Sequence, residues 1–200
     1  MQLGIIGLPM VGKTTIFELL TEHKNTSSNA IKANVAMAKI PDSRIDFLTK
    51  LVKPKKSIYA QLEVVDIPGL VPGADKSANI FLDSIRKADA LLHVVRAFEN
   101  DMVGPIQPLN DIETINYELL LADLDLIEKR ITRINENKKK NQMQTELDLL
   151  YKLKEALENE LPLSSVELND EQREIMSTYQ FLTTKPFLIC INVSEDDLVS

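Results

Sequence analysis

The most constraining feature of this sequence is a glycine-framed stretch, Gly7-Leu8-Pro9-Met10-Val11-Gly12-Lys13-Thr14, directly after the short apolar run Gln2 to Ile6. It fits the pattern G-x-x-x-x-G-K-[ST]. A helical pattern follows from about Thr14 to His23, with Ile16, Phe17, Leu19 and Leu20 on its apolar side. A strand that turns through glycine into a helix start is the setting in which such a loop wraps phosphate. The glycines let backbone N–H groups converge, and the helix start adds the positive end of its dipole. Lys13 is then placed to reach the β- and γ-phosphates, and Thr14 to give its hydroxyl to Mg2+. Gly7, Leu8, Pro9, Met10, Val11, Gly12, Lys13, Thr14 and Thr15 are the expected phosphate cradle, with Leu8 and Pro9 shaping its mouth. The expected ligand is ATP or GTP with Mg2+, and Lys13 and Thr14 are the expected catalytic groups.

The rest of the chain alternates strand and helix patterns around that loop. Asn34 to Ile40 and Ile58 to Val65 alternate as strands, and Asp42 to Val52 is amphipathic, with Asp42 or Ser43 as its cap. A helix from about Ala78 to Ala88 precedes the apolar strand Ala90 to Val95, and Phe187 to Ile191 is a further apolar strand. This pattern predicts an α/β fold with a mostly parallel sheet flanked by helices, which with the phosphate loop is the architecture of a P-loop NTPase. From Asp111 to Tyr179 the period is helical throughout, through Ile112, Ile115, Leu119, Ala122 and Leu126, then Leu147, Leu150, Leu153 and Leu157. An inserted helical hairpin or coiled-coil domain is expected at 111–180, inside a nucleotide-binding domain made of 1–110 and 181–200. Lys138, Lys139 and Lys140 mark the hairpin tip. They read as a solvated tip, with a nucleic-acid or ribosomal contact as the alternative.

Two further motifs fall at strand ends. Asp66-Ile67-Pro68-Gly69 puts a carboxylate where it can serve Mg2+ and a glycine N–H where it can sense the γ-phosphate. Asn192-Val193-Ser194-Glu195 stands where a guanine-specific protein carries N-K-x-D. Valine for lysine and the longer carboxylate for aspartate compromise the guanine fork, so strict GTP specificity is expected to be lost. Taken alone, this motif also fits a capping turn after a strand. The formal net charge of −7 argues against a general nucleic-acid-binding surface. The single cysteine, Cys190, suits a reducing cytosol, so a cytoplasmic location is expected. Runs such as Ala88 to Phe98 fall short of the roughly 20 apolar residues a membrane span needs.

These motifs and their flanks resemble the YchF family of Obg-related P-loop ATPases and GTPases. The resemblance rests on Gly7-Leu-Pro-x-Val-Gly-Lys13, Ile40-Pro-Asp-x-Arg44, Val52-Lys-Pro-x-Lys56 and Val65-Asp-Ile-x-Gly-Leu-Val71. It continues through His93-Val-Val-Arg-x-Phe98, Glu118-Leu-x-Leu-Ala-Asp123 and Asn192-Val-x-Glu195, in the family's order along nearly the whole chain. The resemblance implies a G-domain-like fold with an inserted coiled coil, ATP binding at least as good as GTP binding, and association with ribosomes. Members of the family continue into the rest of the G domain and a TGS domain, so the chain is expected to be part of a longer protein.

Several positions depart from the catalytic pattern. Leu70 occupies the place of a water-orienting glutamine, a substitution the family shares. The loop Glu99 to Pro108 has no histidine, and Asn29 and Ala30 stand where the first switch would carry a cysteine and a threonine. Met10 replaces the usual asparagine, and the stretch Gly73 to Asn79 lacks the family's extra glycines. His93, inside a strand, reads as structural, and Arg96 and Phe98 as remote supports of the site. Three functions remain open: a slow ATPase switch, a nucleotide-binding module without useful hydrolysis, and a GTP-specific regulator of the Obg type. A small-molecule kinase ranks last, for want of an acceptor-site base.

Overall fold

The computed structural model describes residues 1–22, 34–71, 75–100, 102–136 and 143–198. The chain divides into two compact units, one of Met1–Ile106 with Phe187–Ser200 and one of Gln107–Pro186.

The first unit is built on a five-stranded sheet. In chain order its elements are β1 (Gln2–Ile6), α1 (Lys13–Thr21), β2 (Asn34–Lys39), α2 (Ser43–Val52), β3 (Gln61–Asp66), α3 (Asp75–Lys87), β4 (Ala90–Ala97) and β5 (Phe187–Val193). The strand order is β2-β3-β1-β4-β5. β1 pairs in parallel with β3 and β4, and β4 with β5, while β2 runs antiparallel to β3. The sheet is therefore mixed and mostly parallel, as the alternating pattern predicts. Ile5, Val64, Leu92 and Val94 of the central strands pack with Val11 and Phe17 in one core.

Three local expectations change. β3 begins at Gln61 rather than Ile58, because β2 runs out of partners at the Lys39–Gln61 pair. Only the Ile40 N–H to Ala60 carbonyl bond extends beyond that pair. α1 ends at Thr21, where Glu22 turns left-handed, and its buried face is Lys13, Phe17 and Thr21. Leu19 and Leu20 are exposed. β5 is apolar but lies at the sheet's edge, paired on one side only, and Leu188 and Ile191 are exposed.

The second unit is helical: α4 (Pro108–Glu136), α5 (Gln144–Glu158) and α6 (Asp170–Ser177), with a short 3-10 turn at Leu163–Ser165. On α5 the expected Leu147, Leu150, Leu153 and Leu157 are all buried. On α4 the fully buried line is Ile115, Leu119, Asp123, Ile127, Ile131 and Ile134; of the expected positions beyond Leu119, Ala122 is half-buried and Leu126 is partly buried against the helical core. That line passes through an aspartate, Asp123. Burial is tolerated because the Asp123 carboxylate accepts four hydrogen bonds. They come from the Leu182 N–H at 2.9 and 3.0 Å, and from the Thr183 N–H and hydroxyl at 2.8 Å each. Asn169 and Gln172 form a capping box at the start of α6. Lys138, Lys139 and Lys140 lie outside the described residues.

Candidate functional site

The loop between β1 and α1 closes on itself. Gly12 sits at φ +94°, and α1 starts without any side-chain cap and with no acidic residue in its first turn. No side-chain cap therefore closes its first N–H groups, the condition in which helix starts attract anions. Met10 also takes a left-handed conformation, at φ +62°. Leu8, Pro9 and Met10 form the outer arc of the loop, with Pro9 and Met10 exposed, while Val11 is buried in the core. Thr15 is exposed on the first turn of α1.

Lys13 folds back under the loop. Its ammonium is buried and donates to the Leu8 carbonyl at 2.7 Å. Burial pulls its pKa down to about 8, against the opposing pull of Asp66. A desolvated ammonium held against a backbone carbonyl beside an uncapped helix start is an arrangement that suits a ligand of negative charge. Thr14, in the next position, donates its hydroxyl to Asp66 Oδ2 at 2.8 Å. Asp66 is the last residue of β3 and is itself buried. Burial raises its pKa, and the Thr14 hydroxyl, the Lys13 charge and Asn34 hold it down in turn.

At two glycines an added Cβ would displace a side chain of the site. A Cβ on Gly69 would stand 2.9 Å from Lys13 Nζ and 3.0 Å from the Pro9 nitrogen, so the segment after β3 touches the phosphate loop. The Leu70 N–H to Gly7 carbonyl bond, at 3.3 Å, joins the same two segments. A Cβ on Gly12 would stand 2.3 Å from Asn192 Nδ2. That amide donates to the Val11 carbonyl at 3.0 Å, linking the end of β5 to the loop.

The remainder of the last motif serves two purposes. Ser194 bonds Asp197 at 2.6 Å and caps the 3-10 turn Asp196–Leu198, which is the capping-turn reading. Val193 and Glu195, with Asn192, Asp196 and Asp197, form one side of a cleft of about 750 Å3. Ala97, Phe98, Glu99 and Ile106 form the other. The structure therefore brings Gly7 to Thr14, Asp66, Gly69 and Asn192 together around one loop, and sets Val193 and Glu195 in the cleft beside it. Ile106, Asp196 and Asp197 were missed at the level of sequence. The acidic pair directly follows the Asn192 motif, and that adjacency was the available signal.

His93 is fully buried on β4, edge-on to the Phe187 ring at 5.7 Å, and neither ring nitrogen has a hydrogen-bond partner. Burial, with a smaller contribution from Lys13, pushes its pKa down to about 4. Leu70 is fully buried as well. Asn29, Ala30 and Gly73 lie outside the described residues. No cluster of three metal-ligating His, Cys, Asp or Glu side chains occurs among the described residues. No helix among them is long and apolar enough to cross a membrane.

Comparison with known proteins shows the family. The family model described as 50S ribosome-binding GTPase matches residues 2–193. The ribosome-binding ATPase YchF of Bacillus subtilis is 45% identical over 98% of this chain, and that of Haemophilus influenzae 43% over 96%. The chain spans 57% of the length of each. The solved YchF GTPase of Schizosaccharomyces pombe superposes with a TM-score of 0.83 at 30% identity, covering 100% of this chain and 58% of that one. The chain belongs to the 50S ribosome-binding GTPase family, in its YchF branch of Obg-related P-loop proteins.

Proposed function

We propose that this chain binds a purine nucleoside triphosphate with Mg2+ and hydrolyses it slowly as a switch, with ATP preferred over GTP and the ribosome as partner. The observation that carries this reading is the convergence of Lys13, Thr14, Asp66 and Gly69 on a loop whose helix start is uncapped. The triphosphate lies along Gly7 to Thr15, and Lys13 and Thr14 are the groups that meet its reacting end. The base lies toward Asn192, Val193 and Glu195. Unit 1–106 with 187–200 is the nucleotide-binding domain, and 107–186 the inserted helical domain.

The donor set suits Mg2+. Thr14 and Asp66 offer one hydroxyl and one carboxylate oxygen 2.8 Å apart, hard oxygen ligands of the few-protein-contacts kind that Mg2+ takes beside phosphates. The Thr14 hydroxyl and the Asp66 carboxylate would hold the ion, which would supply positive charge against the phosphates. The ATP preference follows from Val193 and Glu195, which lack the lysine stem and short aspartate of a guanine fork. The ribosome enters through the description of the family and the names of the relatives.

A second reading, nucleotide binding without useful hydrolysis, is favoured by Leu70. Its apolar side chain is fully buried where a water-orienting group would stand. Single-turnover phosphate release from ATP and GTP, on this chain and on Lys13→Ala, separates the two. Lys13-dependent release from ATP supports the switch. Tight Lys13-dependent binding with release no faster than in the variant supports the binding module. Undiminished ATP affinity in folded Lys13→Ala refutes both.

A further inference from the structure

Arg96 stands one residue from the end of β4, in register with Asn192 of β5. Its side chain is buried. Nη1 donates to the Phe98 carbonyl at 3.0 Å, and Nη2 to the Gly104 and Pro105 carbonyls at 3.1 and 2.9 Å. These acceptors lie on two arms of one excursion: Phe98 as the chain leaves β4, Gly104 and Pro105 as it comes back. A guanidinium has its donors in a fixed plane, so bonding to both arms sets the distance between them. Burying a cation for this purpose is costly unless its donors are satisfied, and here backbone carbonyls satisfy them.

The same two arms carry Phe98, Glu99 and Ile106, the wall of the cleft that faces Asn192 to Asp197. The opposite wall is anchored separately, by the Asn192 amide on the Val11 carbonyl. We propose that Arg96 is a positioning residue for the nucleoside end of the ligand, holding the Phe98–Ile106 wall at the spacing that admits a purine. The proposal rests on the nucleotide reading above. Arg96 bonds no part of the Gly7–Thr15 loop, so its influence falls on the base and sugar and leaves the phosphates alone. Lysine does not replace it, because one ammonium cannot hold both arms in a fixed plane.

The test is calorimetric titration of wild type, Arg96→Gln, Arg96→Lys and Gly104→Val with two probes. One is Mg-ATP. The other is Mg-tripolyphosphate, which has the phosphates but neither base nor sugar. Gly104 has φ +79°, and a Cβ there meets nothing within 4 Å. Valine at that position strains the wall without a clash and leaves Arg96 itself in place. The expected result is a loss of about tenfold or more in ATP affinity for all three variants, with tripolyphosphate affinity within about twofold of wild type. Equal losses on both probes, or unchanged ATP affinity in folded Arg96→Gln, overturn the proposal. So does rescue by Arg96→Lys together with unchanged binding in Gly104→Val. Wild-type protein that binds ATP no better than tripolyphosphate removes the base from this cleft, and Arg96's role with it. Wild-type protein that binds neither probe overturns the nucleotide reading itself.

Discussion

Acid should destabilise the sheet unit through one identifiable side chain, His93. Its imidazole is fully buried, has no hydrogen-bond partner, and has a pKa near 4 in the folded protein. In the unfolded chain a histidine titrates near 6.5. Above about pH 6.5 both states hold it neutral and it contributes no pH dependence. As pH falls below that value the unfolded state takes up a proton that the folded state refuses, so stability drops. The loss reaches about 2 kcal/mol at pH 5 relative to pH 8, and levels off near about 3 kcal/mol once pH is below 4. Other groups titrate over the same range, so the informative quantity is the difference between wild type and His93→Leu, which removes the imidazole and keeps an apolar filler beside Phe187. Hydrogen exchange at the β4 amides, corrected for intrinsic rates, reads the opening free energy of the sheet without mixing in the helical unit. Wild type should lose about 2 kcal/mol more than His93→Leu between pH 8 and pH 5. Parallel curves for the two proteins would refute the assignment, since they would mean that the folded imidazole titrates normally.

Three other substitutions test the framework. Asp123→Ala strands the Leu182 and Thr183 N–H groups and the Thr183 hydroxyl inside the helical unit. It should cost about 2–4 kcal/mol in urea unfolding followed by circular dichroism, since a stranded buried donor costs about 1–3 kcal/mol, with a loss under about 1 kcal/mol counting against the network. Gly69→Ala drives a Cβ against Lys13 Nζ and the Pro9 nitrogen; calorimetry should show triphosphate affinity down by about tenfold, and an unchanged affinity would mean the segment after β3 moves away on binding. Asn192→Ala removes the bond to the Val11 carbonyl and should weaken ATP binding by about fivefold, roughly the 1 kcal/mol of one hydrogen bond; equal weakening of tripolyphosphate would place its effect on the loop rather than on the base.

Much of this was readable in advance, for reasons that differ between residues. The strand-loop-helix start was legible because glycine, lysine and threonine at fixed spacing have few other uses. The family followed from several such blocks in one order and the mostly parallel sheet from strands alternating with helices, and both stand. The failures have a common physical origin, which is that periodicity reports apolar faces and not what they meet. Leu19 and Leu20 continue a helical stripe, yet α1 turns them to solvent because its buried line runs through Lys13, Phe17 and Thr21. Asp123 breaks the apolar pattern of α4 and is still buried, because its acceptors are filled by backbone about 60 residues later, a pairing no local window contains. The extent of β3 was set by the length of its partner β2 rather than by its own alternation.

The contacts of the phosphate loop explain why residues so far apart in sequence act on one place. Val11 and Asn192 are separated by 181 positions, yet the amide of one holds the carbonyl of the other. The bare Cα of Gly12 is what lets the Asn192 side chain come so close. On the other side, Gly69 and Leu70 reach the loop through Lys13, Pro9 and Gly7. The loop is thus clasped between the ends of β3 and β5, with its ammonium and its neighbouring carboxylate both buried. Burial disfavours the charged form of each, lowering the Lys13 pKa and raising that of Asp66. A ligand that brings phosphate to one and a divalent cation to the other relieves both penalties at once. Gly69 stands against Lys13, so any such change in charge at the loop is felt first at the Gly69–Leu70 backbone.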